Sequence, residues 1–565
     1  MHLNDSFGHM EQTAFVCMQH EQAVAIAAEA YARVTENMGV ALVTTGPGGT
    51  NTLTGVVAAW LDSTPCLFIS GQVKCADIKP SKGLRQKGVQ EVDITAIMAP
   101  VTKYAVTVRD ASSIRMHLEK AIYLCRTGRP GPVWIDIPLD IQAADIDTDQ
   151  LKGYSPPEIE NDSVVLTHTE KAMNQLANAK RPVLLLGNGI RLSNATNLIQ
   201  ELVEALSIPV LTTRLGVDLI EYSHPCLIGM PGSLASRAAN YTLQNSDYLL
   251  CIGARLDMAL LAYAPQNFAP NAYKVMVNID EEEIQKLGNS INLPITATAS
   301  EFIKNALRIY KNKNLNLHTN EWLHRCQEWK DRYPFYQKPS TPSEEISIYE
   351  FSDLLSDLLK PGDVILPGSS GLACEIFLTA FKAKKGQRIF HNKGTGAMGF
   401  GQPAAIGACL ANEMRQTICI DGDGGFQMNI QELETVKRLQ LPIKFFVIDN
   451  DGYASIRTSQ SGYFGRCTGA DSRSGLTLPS IEALSSAYGI PAISLTSTLD
   501  LSSNLRMILE QEGPMVIRVK TKSDEQRIPR VLSVKLPDGN MTSMPLERMW
   551  PYLPEDEHLA NMIQN

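Results

Sequence analysis

The chain is predicted to be an α/β protein built from three doubly wound parallel-sheet domains. Short β-branched runs alternate with amphipathic or Ala-rich helical patterns along its length, the rhythm of parallel sheets covered by helices. Two polar, Pro- and Ser-containing stretches, "KGYSPPEIENDS" (152–163) and "YQKPSTPSEEIS" (336–347), interrupt that rhythm and read as linkers. At 565 residues the chain is also too long for one ordinary domain.

Each domain follows from its strands. The first, 1–150, carries the strand-like runs "VALVTT" (40–45), "CLFISG" (66–71) and "PVWIDIP" (132–138). The second, 165–335, opens with "RPVLLLGNGI" (181–190) and adds "DYLLCIGARLD" (247–257) and "YKVMVNID" (273–280). The third, 345–530, holds "DVILPGSSG" (363–371), "TICIDGDGG" (417–425), "IKFFVIDNDGY" (443–453) and "PMVIRVKT" (514–521). The chain reads as irregular from 523 to 565, with 531–565 as the C-terminal tail.

Composition removes several function classes. With 44% apolar and 20% charged residues and no low-complexity tract, a sizeable core is available. The net charge is −9 and no basic cluster offers a nucleic-acid footprint. No apolar run approaches the ~18–20 residues that cross a bilayer. The start, "MHLNDSFGHMEQ", has neither the basic nor the apolar region of a secretion signal. The 11 cysteines stand singly, without a CxxC pair, and read as reduced thiols rather than a zinc or disulfide framework. The cytoplasm is the expected compartment.

The chemistry concentrates in "IDGDGGFQ" (420–427). Ile430, Leu433, Val436 and Leu439 then recur every three residues, as on one helix face, before Pro442 and the strand "IKFFVID". Residues 417–449 therefore form a strand–helix–strand unit with parallel, adjacent strands. Asp423 falls just past the first strand end, and Asn450, 27 positions later, just past the second. Ligands of open α/β sheets bind at that edge. A carboxylate, an amide oxygen and a nearby backbone carbonyl are hard donors suited to Mg²⁺ or Ca²⁺. Gly424 and Gly425 open the helix, where bare N–H groups favour a phosphate. The combination reads as a Mg²⁺–diphosphate clamp; an acidic glycine turn closing a Rossmann-like strand is the alternative.

Gly422-Asp423-Gly424 followed by Asp449-Asn450 resembles the signature of thiamine diphosphate (ThDP) enzymes, with Asp449 in place of the usual first Asn. The resemblance implies that Asp423, Asn450 and the Gly452 backbone hold Mg²⁺. "CMQHEQAVAIAAEAYAR" (17–33) resembles the HEQ helix of the acetolactate synthase branch. Its Glu, here Glu21, is then the catalytic group that bonds to the cofactor's aminopyrimidine; read alone, Glu21 is better explained as a helix-initiating acid. In "NKGTGAMGFGQPAAIGA" (392–408), Met398 matches the residue that props the cofactor and Gly396 the carbonyl that bonds its amino group. "PGSSG" (367–371) matches a loop that donates bonds to the diphosphate, through Ser369 and Ser370. "TTGPGGTN" (44–51) lacks the GK[ST] of a P-loop and resembles a segment of the family's first domain. "VQE" (89–91) makes Gln90 a second candidate catalytic residue, or a surface loop Gln.

The central domain resembles the FAD-carrying one of acetolactate synthases, with Gly187, Arg255 and Asp280 at the matching contacts. "ARLDMALL" lacks the second Arg of the family's "RFDDR", so a flavin-free Rossmann-like domain is the alternative. The family further implies a 2-oxoacid substrate, a homodimer or homotetramer whose sites lie between subunits, and carboligation of pyruvate to a second carbonyl. The tail "LPDGNMTSMPLERMWPYL" (536–553) resembles a branch whose acceptor is a nucleotide-bound keto sugar. No His-His pair of the decarboxylase type occurs. Against the family pattern the chain starts roughly 30–50 residues late, about one strand–helix unit. A misassigned start, an incomplete chain and a non-catalytic homologue are the corresponding expectations.

Overall fold

The structure, a computed structural model, describes residues 1–80, 83–157, 163–315, 317–337, 344–368, 371–535, 537 and 539–563. Three parallel sheets follow one another along the chain. The first has the order β1-β2-β4-β3, from β1 (Gly39–Val43), β2 (Cys66–Gln72), β3 (Ala105–Thr107) and β4 (Val133–Pro138). The second joins β5 (Pro182–Leu186), β6 (Val210–Thr212), β7 (Leu227–Gly229), β8 (Tyr248–Ile252), β9 (Tyr273–Asn278) and β10 (Leu293–Thr296) in the order β10-β9-β8-β5-β6-β7. The third joins β11 (Val364–Pro367), β12 (Arg388–Ile389), β13 (Thr417–Gly422), β14 (Ile443–Asp449), β15 (Ala492–Leu495) and β16 (Met515–Lys520) in the order β12-β11-β13-β14-β16-β15.

Both faces of each sheet are covered, and the alternation shows it. In β5, Leu184 and Leu186 pack into one core and Val183 and Leu185 into another. In β13, Ile418 and Ile420 face one side and Cys419 the other. In β2, Leu67 and Ile69 oppose Cys66 and Phe68. Strands buried on both faces read as continuous apolar runs, which is why they were legible.

The first and third sheets meet through two helices. Glu21–Thr35 is capped by His20, whose Nδ1 accepts the Gln22 N–H at 3.1 Å, and it ends at Glu36 in the left-handed region (φ 53°). It packs on Gly401–Ala411, where a β-carbon on Gly407 would come inside 3.0 Å of the Ala27 carbonyl oxygen.

Two expectations need correction. The run after Gly425 is not one helix: Asp423–Gln427 and Glu432–Leu439 are separated by a turn. The Asn429 side chain in that turn donates to the Gly399 carbonyl at 2.7 Å, taking the place of helical continuity. The tail is not irregular either. It forms β17 (Arg530–Val531) paired with β20 (Met549–Trp550), β18 (Ser533–Lys535) paired with β19 (Met541–Ser543), and the helix Glu555–Ala560. It lies on the central sheet's helices: Arg237 Nη1 bonds the Met549 carbonyl at 3.1 Å, and Trp329 Nε1 bonds Asn561 Oδ1 at 2.8 Å. Among the described residues no helix is long and apolar enough to cross a membrane.

Candidate active site at the carboxyl edge of the third sheet

From β11 the chain first lays β12 on one side and then begins β13 on the other. The strand order therefore reverses between β11 and β13, and a crevice opens at their carboxyl ends. Gly422 and Asp423 stand on its β13 side. Beside Gly422 nothing lies within 4 Å of where a β-carbon would be, so the crevice is open there. Ser369 and Ser370, expected on the β11 side, lie outside the described residues.

Asp423 is buried, 4% exposed. Its Oδ1 accepts the Gly424 N–H at 2.8 Å, and its Oδ2 accepts the N–H groups of Asn450 at 3.2 Å and Gly452 at 2.8 Å. The two strand-end loops are thus tied together through one carboxylate. Burial pushes its pKa up to about 6, against the N–H bonds that hold it down. Asn450 is 6% exposed, and its side-chain Oδ1 is buried without a hydrogen-bond partner. A buried amide oxygen left unpaired beside a carboxylate is what a hard cation requires, so the residues fit Mg²⁺. Among the described residues no three His, Cys, Asp or Glu side chains gather to hold a metal, so a cation here depends on this mixed set.

The neighbouring loop closes over the same place. Gly396 (φ 60°) is fixed by its N–H to Asn392 Oδ1 at 3.1 Å. Met398 Cε lies 3.3 Å from where a β-carbon on Gly424 would be, and the Tyr453 ring is closer still. Gly424 is therefore enclosed by both side chains. Asp421 points beneath the crevice: β-carbons on Gly368, Gly401 or Gly425 would each come inside 3.0 Å of its carboxylate. Burial raises this carboxyl to about 7.

Glu21 begins its helix half-buried, and its Oε2 accepts Asn51 Nδ2 at 3.0 Å. Among the described residues no hydrogen bond joins Glu21 to the Asp423 cluster. Gln90 is exposed with φ 64°, and its backbone carbonyl receives the Thr45 hydroxyl at 3.4 Å.

Comparison with known proteins agrees with this geometry. The description "Thiamine pyrophosphate enzyme, N-terminal TPP binding domain" matches residues 1–97, the central domain 169–306, and the C-terminal TPP binding domain 370–519. The acetolactate synthase large subunit of Cyanidium caldarium is 34% identical over 545 residues, spanning 93% of this chain and 90% of that protein. That of Lactococcus lactis is 32% identical over 531 residues, 94% of this chain and 89% of that protein. The isozyme 2 large subunit of Escherichia coli is 32% identical over 536 residues, 94% and 92%. The chain belongs to the acetolactate synthase large-subunit family of thiamine pyrophosphate enzymes.

In this acetolactate synthase relative the central sheet has a crevice of its own. Its order reverses between β5 and β8, and a cleft of about 280 Å³ opens at their carboxyl ends. Gly187 packs against the Gly253 carbonyl, leaving no room for a side chain, and the cleft wall proper begins at Asn188. Asn188 Oδ1 is buried there without a partner. Arg255 lines the cleft, with Nη1 donating to the Leu61 carbonyl at 2.8 Å and Nε 3.2 Å from Glu283. Asp280 is at the rim, paired with Arg129 at 2.7 Å, while its Oδ1 caps the following helix. Lys393 also lines the cleft, and its N–H donates to Asp62 at 2.9 Å. It belongs to the loop that carries Gly396 and Met398.

Sequence reasoning passed over Asn51, Tyr453, Asn429 and Glu432. Asn51 ends a motif already singled out. Asn429 and Glu432 are polar residues within an apolar helical pattern, and nothing in the sequence shows that they are buried, as the structure does.

Proposed function

We propose that this chain is a ThDP- and Mg²⁺-dependent carboligase that takes pyruvate or a related 2-oxoacid as donor and joins it to a second carbonyl, as acetolactate synthases do. The observation that carries this reading is the Asp423–Asn450–Gly452 cluster with its unpaired amide oxygen, closed over by Met398. Asp423, Asn450 and Gly452 would hold Mg²⁺, with Gly422, Gly424 and Gly425 beside the diphosphate and Gly396 and Met398 shaping the pyrimidine side. Bound there, the cofactor supplies the electron sink for loss of CO₂ and for carbon–carbon bond formation. Glu21 holds and moves the proton at the aminopyrimidine, and Asn51 keeps its carboxylate oriented. Gln90 is a polar group available to the substrate.

FAD is proposed for the central cleft. The supporting observations are the switch point at β5 and β8, the unpaired Asn188 oxygen, and the cationic Arg129 and Arg255 near the Gly187 turn. A homodimer or homotetramer in the cytoplasm belongs to the same reading. Phe15 and Val89 are 59% and 87% exposed on the segments that flank Glu21 and Gln90, which suits cover by a second copy. The domain limits 1–150, 165–335 and 345–530 are kept as part of the proposal, and the three sheets fall within them.

The test is the full chain with ThDP, Mg²⁺, FAD and pyruvate, following pyruvate loss and acetolactate together. Acetolactate formation is the expected result. Pyruvate loss without acetolactate would transfer the reading to another acceptor, and cofactor binding without turnover to a non-catalytic homologue.

A further inference from the structure

Glu432 is fully buried and has no part in the cofactor reading. A buried carboxylate is costly unless hydrogen bonds compensate it. Here the compensation comes from the N–H of Gln19 at 3.1 Å, the N–H of His20 at 3.0 Å and the Thr435 hydroxyl at 2.8 Å. Gln19 and His20 immediately precede Glu21. Three residues before Glu432, Asn429 donates through Nδ2 to Gln22 Oε1 at 3.1 Å and to the Gly399 carbonyl at 2.7 Å. One short segment of the third domain therefore holds the chain on both sides of Glu21 and the carbonyl next to Met398.

The helix alone does not fix that turn. The His20 ring caps it through the Gln22 N–H, but the N–H groups of residues 19 and 20 point outward and end on Glu432. A carboxylate accepts two such donors more strongly than a neutral group would.

We propose that Glu432 is a positioning residue for Glu21, fixing the Gln19–His20 turn so that the Glu21 carboxyl keeps one aim, with Asn429 registering the same turn against the Met398 loop. The proposal rests on the catalytic reading of Glu21. Misplacing a reacting group by about 1 Å costs on the order of 100-fold in rate.

The experiment pairs kinetics with amide exchange on the full chain. Glu432→Ala should lower turnover of the ThDP- and Mg²⁺-loaded enzyme by roughly 10- to 100-fold. Pyruvate KM and calorimetric ThDP affinity should stay within about 3-fold, because the Asp423 grip is untouched. In the cofactor-free chain, amide exchange at Gln19 and His20 should quicken while the rest of the helix keeps its protection. Glu432→Gln, which retains one acceptor oxygen, should recover most of the turnover and show intermediate exchange; it also serves if the Ala variant fails to fold. On a Glu21→Gln background, Glu432→Ala should add little. Unchanged exchange at residues 19 and 20, or a full further loss on that background, would overturn the positioning role while leaving Glu21 catalytic. Wild-type turnover in Glu21→Gln alone would remove the Glu21 reading, and the role of Glu432 with it.

Discussion

Asp421 and Asp423 are two positions apart and do different work. Asp421 lies under the crevice, and the glycines at 368, 401 and 425 are small because its carboxylate fills the space their side chains would need. Asp423 ties the two strand-end loops, one of which carries the unpaired Asn450 oxygen. Asp423→Ala should abolish Mg²⁺-dependent ThDP binding, and calorimetry with and without Mg²⁺ checks it; unchanged affinity would sink the clamp. Glu21→Gln should cut turnover at least ~100-fold, as expected for a lost acid–base group, with ThDP still bound. At this scale the sequence was most readable where chemistry is local: Asp423 and Asn450 are near the ends of strands whose apolar runs are unmistakable. Asn51 as the Glu21 partner was not readable, because its hydrogen bond spans two elements separated by 30 positions.

The packing of Glu21–Thr35 on Gly401–Ala411 needs Ala27 and Gly407 in contact. Gly407→Val would drive a side chain into backbone, and overpacking of that kind costs about 1–3 kcal/mol. A clear drop in the thermal midpoint is expected. Gly422→Ala is the control, since its β-carbon would enter open space: the midpoint should hold while ThDP binding weakens. Long strands such as β13 and β14 were legible from continuous apolar runs. β3 and β12, of three and two residues, carry no periodic signal and were not. The break at 428–431 escaped for a different reason: Leu433 and Val436 keep the helical spacing, while tertiary bonds, from Asn429 to Gly399 and from Gln402 to the Phe426 carbonyl, hold the end of the first helix.

Where the three sheets' surroundings meet, Asp218 is fully buried between Arg388 at 2.8 Å and Arg191 at 3.2 Å. Arg191 also reaches Glu36 at 2.7 Å, and Arg388 Nε donates to the Arg33 carbonyl at 3.2 Å, so one cluster joins all three parts of the chain. Asp218→Ala would leave the buried Arg388 without a carboxylate and Arg191 with Glu36 alone, a loss of about 3–5 kcal/mol. Removing the exposed Arg415–Glu413 pair should change stability by less than about 1 kcal/mol. Burial alone would raise the Asp218 pKa, but Arg388 and then Arg191 hold it below the ordinary value. Its stabilisation is therefore complete above the unfolded value of about 3.9 and is lost as pH falls through the folded one. The gap in unfolding midpoint between the native chain and Asp218→Ala should close in acid. Neither this cluster nor the docking of the tail on the central helices was visible in the sequence, since both depend on partners far apart in the chain. The Ala27–Gly407 contact also bears on recombination between relatives. A hybrid that took its first sheet from one parent and its third from another would join two helix surfaces that had never been matched. Crossovers should therefore inherit residues 21–35 and 401–411 from the same parent, whatever else is exchanged.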